Sequence, residues 1–280
     1  ETLLGESFVT FPGGKGANQA VAAAKLGGDV RFFGCVGDDS FAEQLRTSLA
    51  SSGVRTDGLA TDPEQPTGVA VIMVDSAGQN TIVVAPGANS RVDPGPAIAA
   101  IQPQDVLLAQ LEIPLDVVEQ LFMRSPAAMN ILNPAPACEL PAALYPSIDL
   151  ITPNEVEAEI LTGIRPMDEA TCEAAASELI RRGVRQVVIT LGAQGCFYAA
   201  GPVRQTYPAW PVTAVDTVAA GDAFSGALGH FLAAGKTVDH AIRLATVAAA
   251  LSTMKAGAQP SLPSLADLRS ALAKSAEVEL

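Results

Sequence analysis

The sequence predicts an α/β fold: a central, mostly parallel sheet with helices on both faces and a small β-sheet standing off it as a lid. Three observations predict it. From Asp105 onward, strand-like and helix-like segments alternate, which is the rhythm of a parallel sheet with crossover helices. Hydrophobic residues make up 49% of the chain but aromatics only 5%, and the Ala, Val and Leu that dominate suit helices packed on such a sheet. Two strand-like runs, Thr67 to Val74 and Asn80 to Ala85, follow one another with no helix between them and so read as a separate hairpin. The 280 residues are taken as one domain, 1–280, long enough for a substantial core.

The elements can be justified in order. Leu3, Leu4, Phe8, Val9 and Phe11 suggest a short strand within residues 1–11, closed by Pro12-Gly13-Gly14 and joining the hairpin of 67–85 in the lid. Gly14-Lys15-Gly16-Ala17-Asn18-Gln19 then leads into an Ala-rich helix, Ala20 to Leu26. It is not a dinucleotide fingerprint, because Gln19 stands where a third glycine belongs. Val30 to Val36 reads as a strand and Phe41 to Ser52 as an amphipathic helix. Strands at Val106 to Leu111, Met129 to Leu132, Leu150 to Thr152 and Gln186 to Leu191 alternate with helices at Leu115 to Met123, after Asn154, and at Asp168 to Arg182. Cys196 to Ala199 and Val203 to Tyr207 suggest another hairpin. Helices follow from Ala219, over Val238 to Lys255, and over Leu265 to Leu272.

Composition narrows the function. The net charge of −13, with no Lys/Arg-rich run, argues against a nucleic-acid partner. An anionic small substrate would have to be held locally, by backbone amides, a few cations or a metal ion. Cys35, Cys138, Cys172 and Cys196 are scattered and read as buried thiols of a reducing compartment. No apolar segment reads as a membrane span and no signal peptide is evident, so the expectation is a cytoplasmic protein with no membrane partner.

The richest stretch is Val215-Asp216-Thr217-Val218-Ala219-Ala220-Gly221-Asp222. Phe224, Leu228, Phe231 and Leu232 recur after it at helical spacing, so Ala219, Ala220 and Gly221 fall at a helix start. Amides without intrahelical partners and the positive end of the helix dipole make an anion site there, and Gly221 supplies conformational freedom. Asp222 is then either a plain N-terminal helix acid or an acceptor for the proton of an attacking hydroxyl. Glu112, Asn133, Asn154 with Glu157, Gly192 to Gly195, and Asp216 to Asp222 all fall at predicted strand ends, where α/β sheets bind ligands. Gly14 to Asn18 serves equally as a plain helix entry or as an amide-presenting loop.

Rival chemistries fit poorly. Ala234-Gly235-Lys236-Thr237 looks like the tail of a P-loop, but His230 occupies the place of its leading glycine and Gly235 follows a helix as a C-cap would. There is no G-x-S-x-G, and His230 and His240 both lie in helical runs, which removes a serine-hydrolase triad. Asp216 and Asp222 are more naturally given different tasks than paired as a hydrolytic dyad.

The chain resembles the ribokinase-like (PfkB) family of carbohydrate kinases over essentially its whole length. The resemblance rests on Gly13 to Gln19, Gln110-Leu111-Glu112, Asn133-Pro134-Ala135-Pro136, Thr152-Pro153-Asn154-Glu155, Thr190-Leu191-Gly192, Asp216 to Asp222, and Gly257-Ala258-Gln259-Pro260-Ser261. It implies transfer of the γ-phosphoryl group of ATP to the 5-hydroxyl of D-ribose. Asp222 would be the base, and the amides of Ala219, Ala220, Gly221 and Asp222 an anion hole for the moving phosphoryl group. Gly14, Lys15, Gly16, Ala17, Asn18 and Glu112 match sugar-binding positions, together with Asp222. Asn154, Thr190, Leu191, Gly192, Ala193, Gln194, Gly195, Gly221, Asp222 and Thr246 match nucleotide contacts.

The resemblance also implies two ions. Asn154 and Glu157 match residues that help hold Mg²⁺, through water. Asp216, Val218, Ser252, Lys255, Gly257 and Ser261 match a site for K⁺, with Val218 and Lys255 contributing carbonyls. A homodimer formed through the lid strands is expected as well. The family begins with a strand that carries a sugar-binding Asp, and Glu1-Thr2-Leu3-Leu4 resembles the part just after it; a protein without that strand would lose a central strand of the sheet and an anchor for the sugar. Alternatives within reach of the same motifs are a kinase of fructose, 2-deoxyribose or a nucleoside, and a catalytically silent binding protein.

Overall fold

The computed structural model describes residues 9–74 and 80–273. The helix Lys15–Lys25 (α1) is followed by the strand Arg31–Gly37 (β1), the helix Ser40–Ser51 (α2) and the strand Arg55–Asp62 (β2). Next come Val69–Val74 (β3) and Asn80–Ala85 (β4), then a short helix, Gly95–Ala100 (α3). The alternating part runs through Val106–Ala109 (β5), Leu115–Arg124 (α4), Met129–Leu132 (β6), Leu150–Ile151 (β7), Glu155–Thr162 (α5), Glu169–Arg182 (α6) and Gln186–Thr190 (β8). Cys196–Ala200 (β9), Val203–Tyr207 (β10), Ala220–Ala233 (α7), Val238–Ser252 (α8) and Leu265–Leu272 (α9) complete it.

The main sheet has the order β10-β9-β8-β7-β6-β5. Strands β5 to β8 are parallel, and β9 and β10 extend the sheet antiparallel. The expected hairpin at Cys196 to Tyr207 is therefore an edge of the main sheet. Successive strand residues point to opposite faces. Leu132, Ile151, Val187 and Ile189 pack with α4, α5 and α6, whereas Ile131, Leu150 and Val188 pack with α7, α8 and α9. Burial on both faces explains why these strands read as continuous apolar runs. A third cluster joins α1 and α2 to β1 and β2, which pair in parallel as a doublet.

Several sequence expectations need correction. Strand β2 was not expected, because only Leu59 of Arg55–Asp62 is buried and the segment lacks apolar alternation. The short helix α3 starts on Gly95-Pro96 and carries no periodic signal. Strand β5 stops at Ala109 rather than Leu111, since the Leu111 amide turns to the Ala135 carbonyl (3.0 Å). Helix α8 ends at Ser252 rather than Lys255. Of the strand expected at 1–11, residues 1–8 lie outside the described residues, and Val9 to Phe11 are irregular. Cys138 is exposed, while the other three cysteines are buried as expected.

The hairpin at 67–85 is a two-stranded antiparallel sheet of its own, β3 with β4. Val71, Ile72 and Met73 are consecutive and all about half exposed (50–55%), so neither face of β3 is covered here. Gly235 follows α7 in a left-handed conformation (φ 79°), and the Thr237 hydroxyl caps α8. The P-loop-like stretch is thus a helix stop and a helix start. Among the described residues no helix is long and apolar enough to cross a membrane.

The contact that positions the site is the crossing of α1 and α7 at Gly226. A Cβ there would sit 2.3 Å from the Gln19 carbonyl oxygen and 2.7 Å from the Ala22 Cβ. Only a glycine lets the two helices approach this closely. Gly226→Ala should therefore cost roughly 1–3 kcal/mol of stability in urea unfolding, with activity lost in parallel. Unchanged stability would mean that the helices are not in forced contact.

Candidate active site

Helix α1 is entered from Gly14, whose φ of 89° suits glycine and turns the chain sharply into the helix. The Lys15 amide, one of the free donors of this helix start, gives its hydrogen to Glu112 Oε2 at 2.7 Å. Glu112 lies just beyond β5. Burial raises its pKa, opposed by the Lys15 amide and ammonium. The next turn of α1 buries Asn18 and Gln19, and both reach Asp222 at the start of α7. Asn18 Nδ2 donates to Asp222 Oδ2 at 2.8 Å, and Gln19 Nε2 donates to Asp222 Oδ1 at 3.0 Å.

Asp222 is only 7% exposed. Burial raises its pKa, and the Lys15 charge with the amides of Gln19 and Asn18 works against that rise. Glu157 is also raised by burial, and the charges of Lys15 and Asp222 both reach it. One lysine and three carboxylates thus share the carboxyl end of the sheet.

The anion site departs from expectation in its details. The left-handed residue is Ala219 (φ 61°), not Gly221, and among the described residues it is the one non-glycine with positive φ. The Ala220 amide turns back onto the Thr217 carbonyl (3.2 Å). Gly221 and Asp222 remain as the first-turn positions whose amides have no intrahelical acceptor. Gly221 is exposed, and a Cβ on it would meet nothing within 4 Å, so the space over these amides is open. A non-glycine in this conformation carries strain of the kind found at functional turns.

The nucleotide-side residues form a tight turn between β8 and β9. The Leu191 amide bonds the Gly195 carbonyl (2.8 Å), and Gly192 to Gln194 are exposed. Asn154 pairs with Thr190 through an isolated parallel bridge, which places these two positions side by side. Asn154 and Glu157 form a capping box on α5: Glu157 N donates to Asn154 Oδ1 (2.8 Å) and Asn154 N to Glu157 Oε2 (3.0 Å). Thr246 is half-buried on α8, and its hydroxyl bonds the Ile242 carbonyl (2.9 Å).

The loop of the expected K⁺ residues is tied to the anion site by Asp216. Its Oδ1 accepts from Val218 N (2.9 Å) and its Oδ2 from Gly257 N (2.8 Å). The amides of Val215 and Asp216 bond the Thr253 carbonyl, a contact that sequence reasoning did not assign. The Ser252 and Ser261 hydroxyls are engaged with the Ala249 and Ala258 carbonyls (2.7 and 2.8 Å), and Lys255 is exposed.

Sequence reasoning also gave no role to Gln19 or Gln110, nor to Asn133 beyond its place at a strand end. The structure links all three to Asp222. Gln110 Nε2 donates to Gln19 Oε1 (2.6 Å), and Gln19 Nε2 donates to Asn133 Oδ1 (2.9 Å) as well as to Asp222. A glutamine inside the buried stripe Ala17, Val21, Ala22 was the available signal, because a buried amide needs partners.

The sequence model of the pfkB family carbohydrate kinases matches residues 1–265. The chain belongs to that family. It is 43% identical over 268 residues to a ribokinase of Haemophilus influenzae, covering 94% of this chain and 88% of the relative. A deoxyribokinase of Salmonella typhi is 37% identical over 272 residues, covering 95% and 89%. The solved structure of Arabidopsis thaliana ribokinase complexed with ribose and ATP superposes with a TM-score of 0.90 at 30% identity, covering 97% of this chain and 91% of that one. In this pfkB family member the predicted sugar, base and anion-hole positions converge at one end of the sheet.

Proposed function

We propose that the chain transfers the γ-phosphoryl group of ATP to the 5-hydroxyl of D-ribose, giving ribose 5-phosphate and ADP. The observation that carries this reading is the buried carboxylate of Asp222 at the start of α7, beside open amides and facing the N-terminus of α1. The sugar lies against Gly14 to Asn18 and Glu112. Asn18 Oδ1 is buried without a partner, and a sugar hydroxyl would satisfy it. As the ribose oxygen attacks the γ-phosphorus, its proton passes to Asp222, and the bond to the β,γ-bridging oxygen breaks to leave ADP. The amides of Gly221 and Asp222 donate to the equatorial oxygens as charge redistributes. Asn154, Thr246 and the Thr190 to Gly195 turn hold the nucleotide.

The donor chemistry fits the two expected ions in different ways. Among the described residues no group of three or more His, Cys, Asp or Glu could hold a metal, so Mg²⁺ would arrive with the nucleotide and meet Glu157 through water. Carbonyls of the 252–261 loop and of Val218, with Asp216, would be the oxygen donors for K⁺, which would supply fixed positive charge behind the anion hole. The uncovered hairpin β3-β4 supports its role as a lid and as the surface joining two copies in a homodimer, which would show twice the chain's mass by light scattering.

2-Deoxyribose is the second reading, favoured by the deoxyribokinase relative. ADP release with Mg-ATP and K⁺ should be measured across ribose, 2-deoxyribose, fructose and adenosine. Ribose is expected to give the highest kcat/KM, and exchanging K⁺ for tetramethylammonium should lower the rate. Asp222→Ala is expected to reduce kcat by roughly 10²–10⁴-fold with ATP binding retained. Because Asp222 must be ionised to accept a proton and burial raises its pKa, kcat/KM should fall with decreasing pH through a midpoint above the ordinary aspartate range. ADP release independent of sugar would contradict the proposed function, and near-normal kcat in Asp222→Ala would contradict the assignment of the base.

A further inference from the structure

Gln19 stands at the junction of a hydrogen-bonded chain whose polarity is fixed at both ends. At one end lies the Thr152 backbone carbonyl, which can only accept, so Asn133 must present its Nδ2 there (3.0 Å). Asn133 Oδ1 then faces Gln19 and requires a donor. Gln19 therefore turns its NH₂ group inward, where one hydrogen serves Asn133 Oδ1 (2.9 Å) and the other Asp222 Oδ1 (3.0 Å). Its Oε1 must then face outward, where the half-buried Gln110 donates to it (2.6 Å). At the other end an ionised Asp222 can likewise only accept. Amide orientations are otherwise ambiguous, but here two fixed acceptors dictate the same one.

Asn18 and Gln19 thus hold the two oxygens of Asp222 differently. Asn18 has a buried, unpartnered Oδ1 and is free to exchange contacts when a sugar arrives. Gln19 is 1% exposed, and both its Nε2 hydrogens and its Oε1 are engaged by protein groups. We infer that Gln19 is a positioning residue for the phosphoryl-transfer base: it anchors Asp222 Oδ1 to the ends of β5 and β6 and keeps the carboxyl plane fixed while Asn18 engages substrate. Leucine or methionine could fill the same volume, but neither could bridge two acceptors. The inference rests on the reading of Asp222 as the base.

Gln19→Met tests it, since methionine matches glutamine in length but makes none of these hydrogen bonds. The expected result is a fall in kcat of roughly 10- to 100-fold, with the KM for ATP within about threefold of wild type. The acid limb of kcat/KM should move to higher pH, because a donor to the ionised carboxyl is lost while the other charges facing it (Lys15, Glu112 and Glu157) stay in place. A purely structural role would lower the melting temperature without moving that limb. Gln19→Glu keeps the length and the acceptor for Gln110 but removes the donor pair, and should shift the limb further in the same direction.

If neither variant folds, Gln110→Leu at the half-buried outer anchor decides, with the same changes expected on a smaller scale. A folded variant with kcat within about twofold of wild type and an unmoved acid limb would overturn the inference. Turnover retained in Asp222→Ala would instead remove the base reading beneath it. An inactive Asp222→Ala beside a normal Gln19→Met would remove only the positioning role.

Discussion

A carboxylate kept out of water must have its charge answered by the protein, and the fold around Asp222 is arranged to do this. Withdrawing an aspartate from solvent disfavours its ionised form, and ionised is the form that can take a proton. The site offsets this with one nearby lysine, Lys15, and with two amide donors, from Asn18 and Gln19. All three lie in the first two turns of α1, so the position of one helix against another sets the electrostatics of the site. That position depends on Gly226, where the helix backbones come too close for any side chain.

The sheet supplies the second half of the arrangement. Strands β5, β6 and β7 end in register at Ala109, Leu132 and Ile151, and the segments beyond them place Glu112, Asn133 and Asn154 with Glu157 around the start of α1 and the start of α7. Two helix N-termini facing one another would repel through their dipoles and their unpaired amides. Glu112 answers the first at the Lys15 amide, and the second is left open at Gly221 and Asp222, where a phosphoryl group would supply the missing negative charge. The same logic explains how a chain of net charge −13 can take a polyanionic nucleotide: the attraction is local.

Much of this was legible in the sequence, for identifiable reasons. Strands buried on both faces, such as Met129–Leu132 and Gln186–Thr190, announce themselves as apolar runs, and the helix after Asp222 by its spacing of Phe224, Leu228 and Phe231. Strand β2 did not, because it is largely exposed and carries Asp57, Gly58 and Asp62 in place of apolar alternation. The site was legible as a set of polar residues at strand ends. Its wiring was not: Gln19, Asn133 and Asp222 are brought together over separations of 114 and 203 residues. The left-handed turn fell on Ala219 although Gly221 was the natural candidate, because local propensity does not reveal which residue of a turn bears the strain.

The central claim is that this constellation directs a phosphoryl group from ATP onto the terminal hydroxyl of ribose. The most direct measurement is the position of the phosphate in the product, read by ¹³C NMR with ³¹P coupling after incubation of the chain with D-ribose and Mg-ATP. The account predicts phosphorus splitting on C5 and C4 alone. Phosphate on C1, or no phosphorylated sugar from folded protein under these conditions, would contradict it.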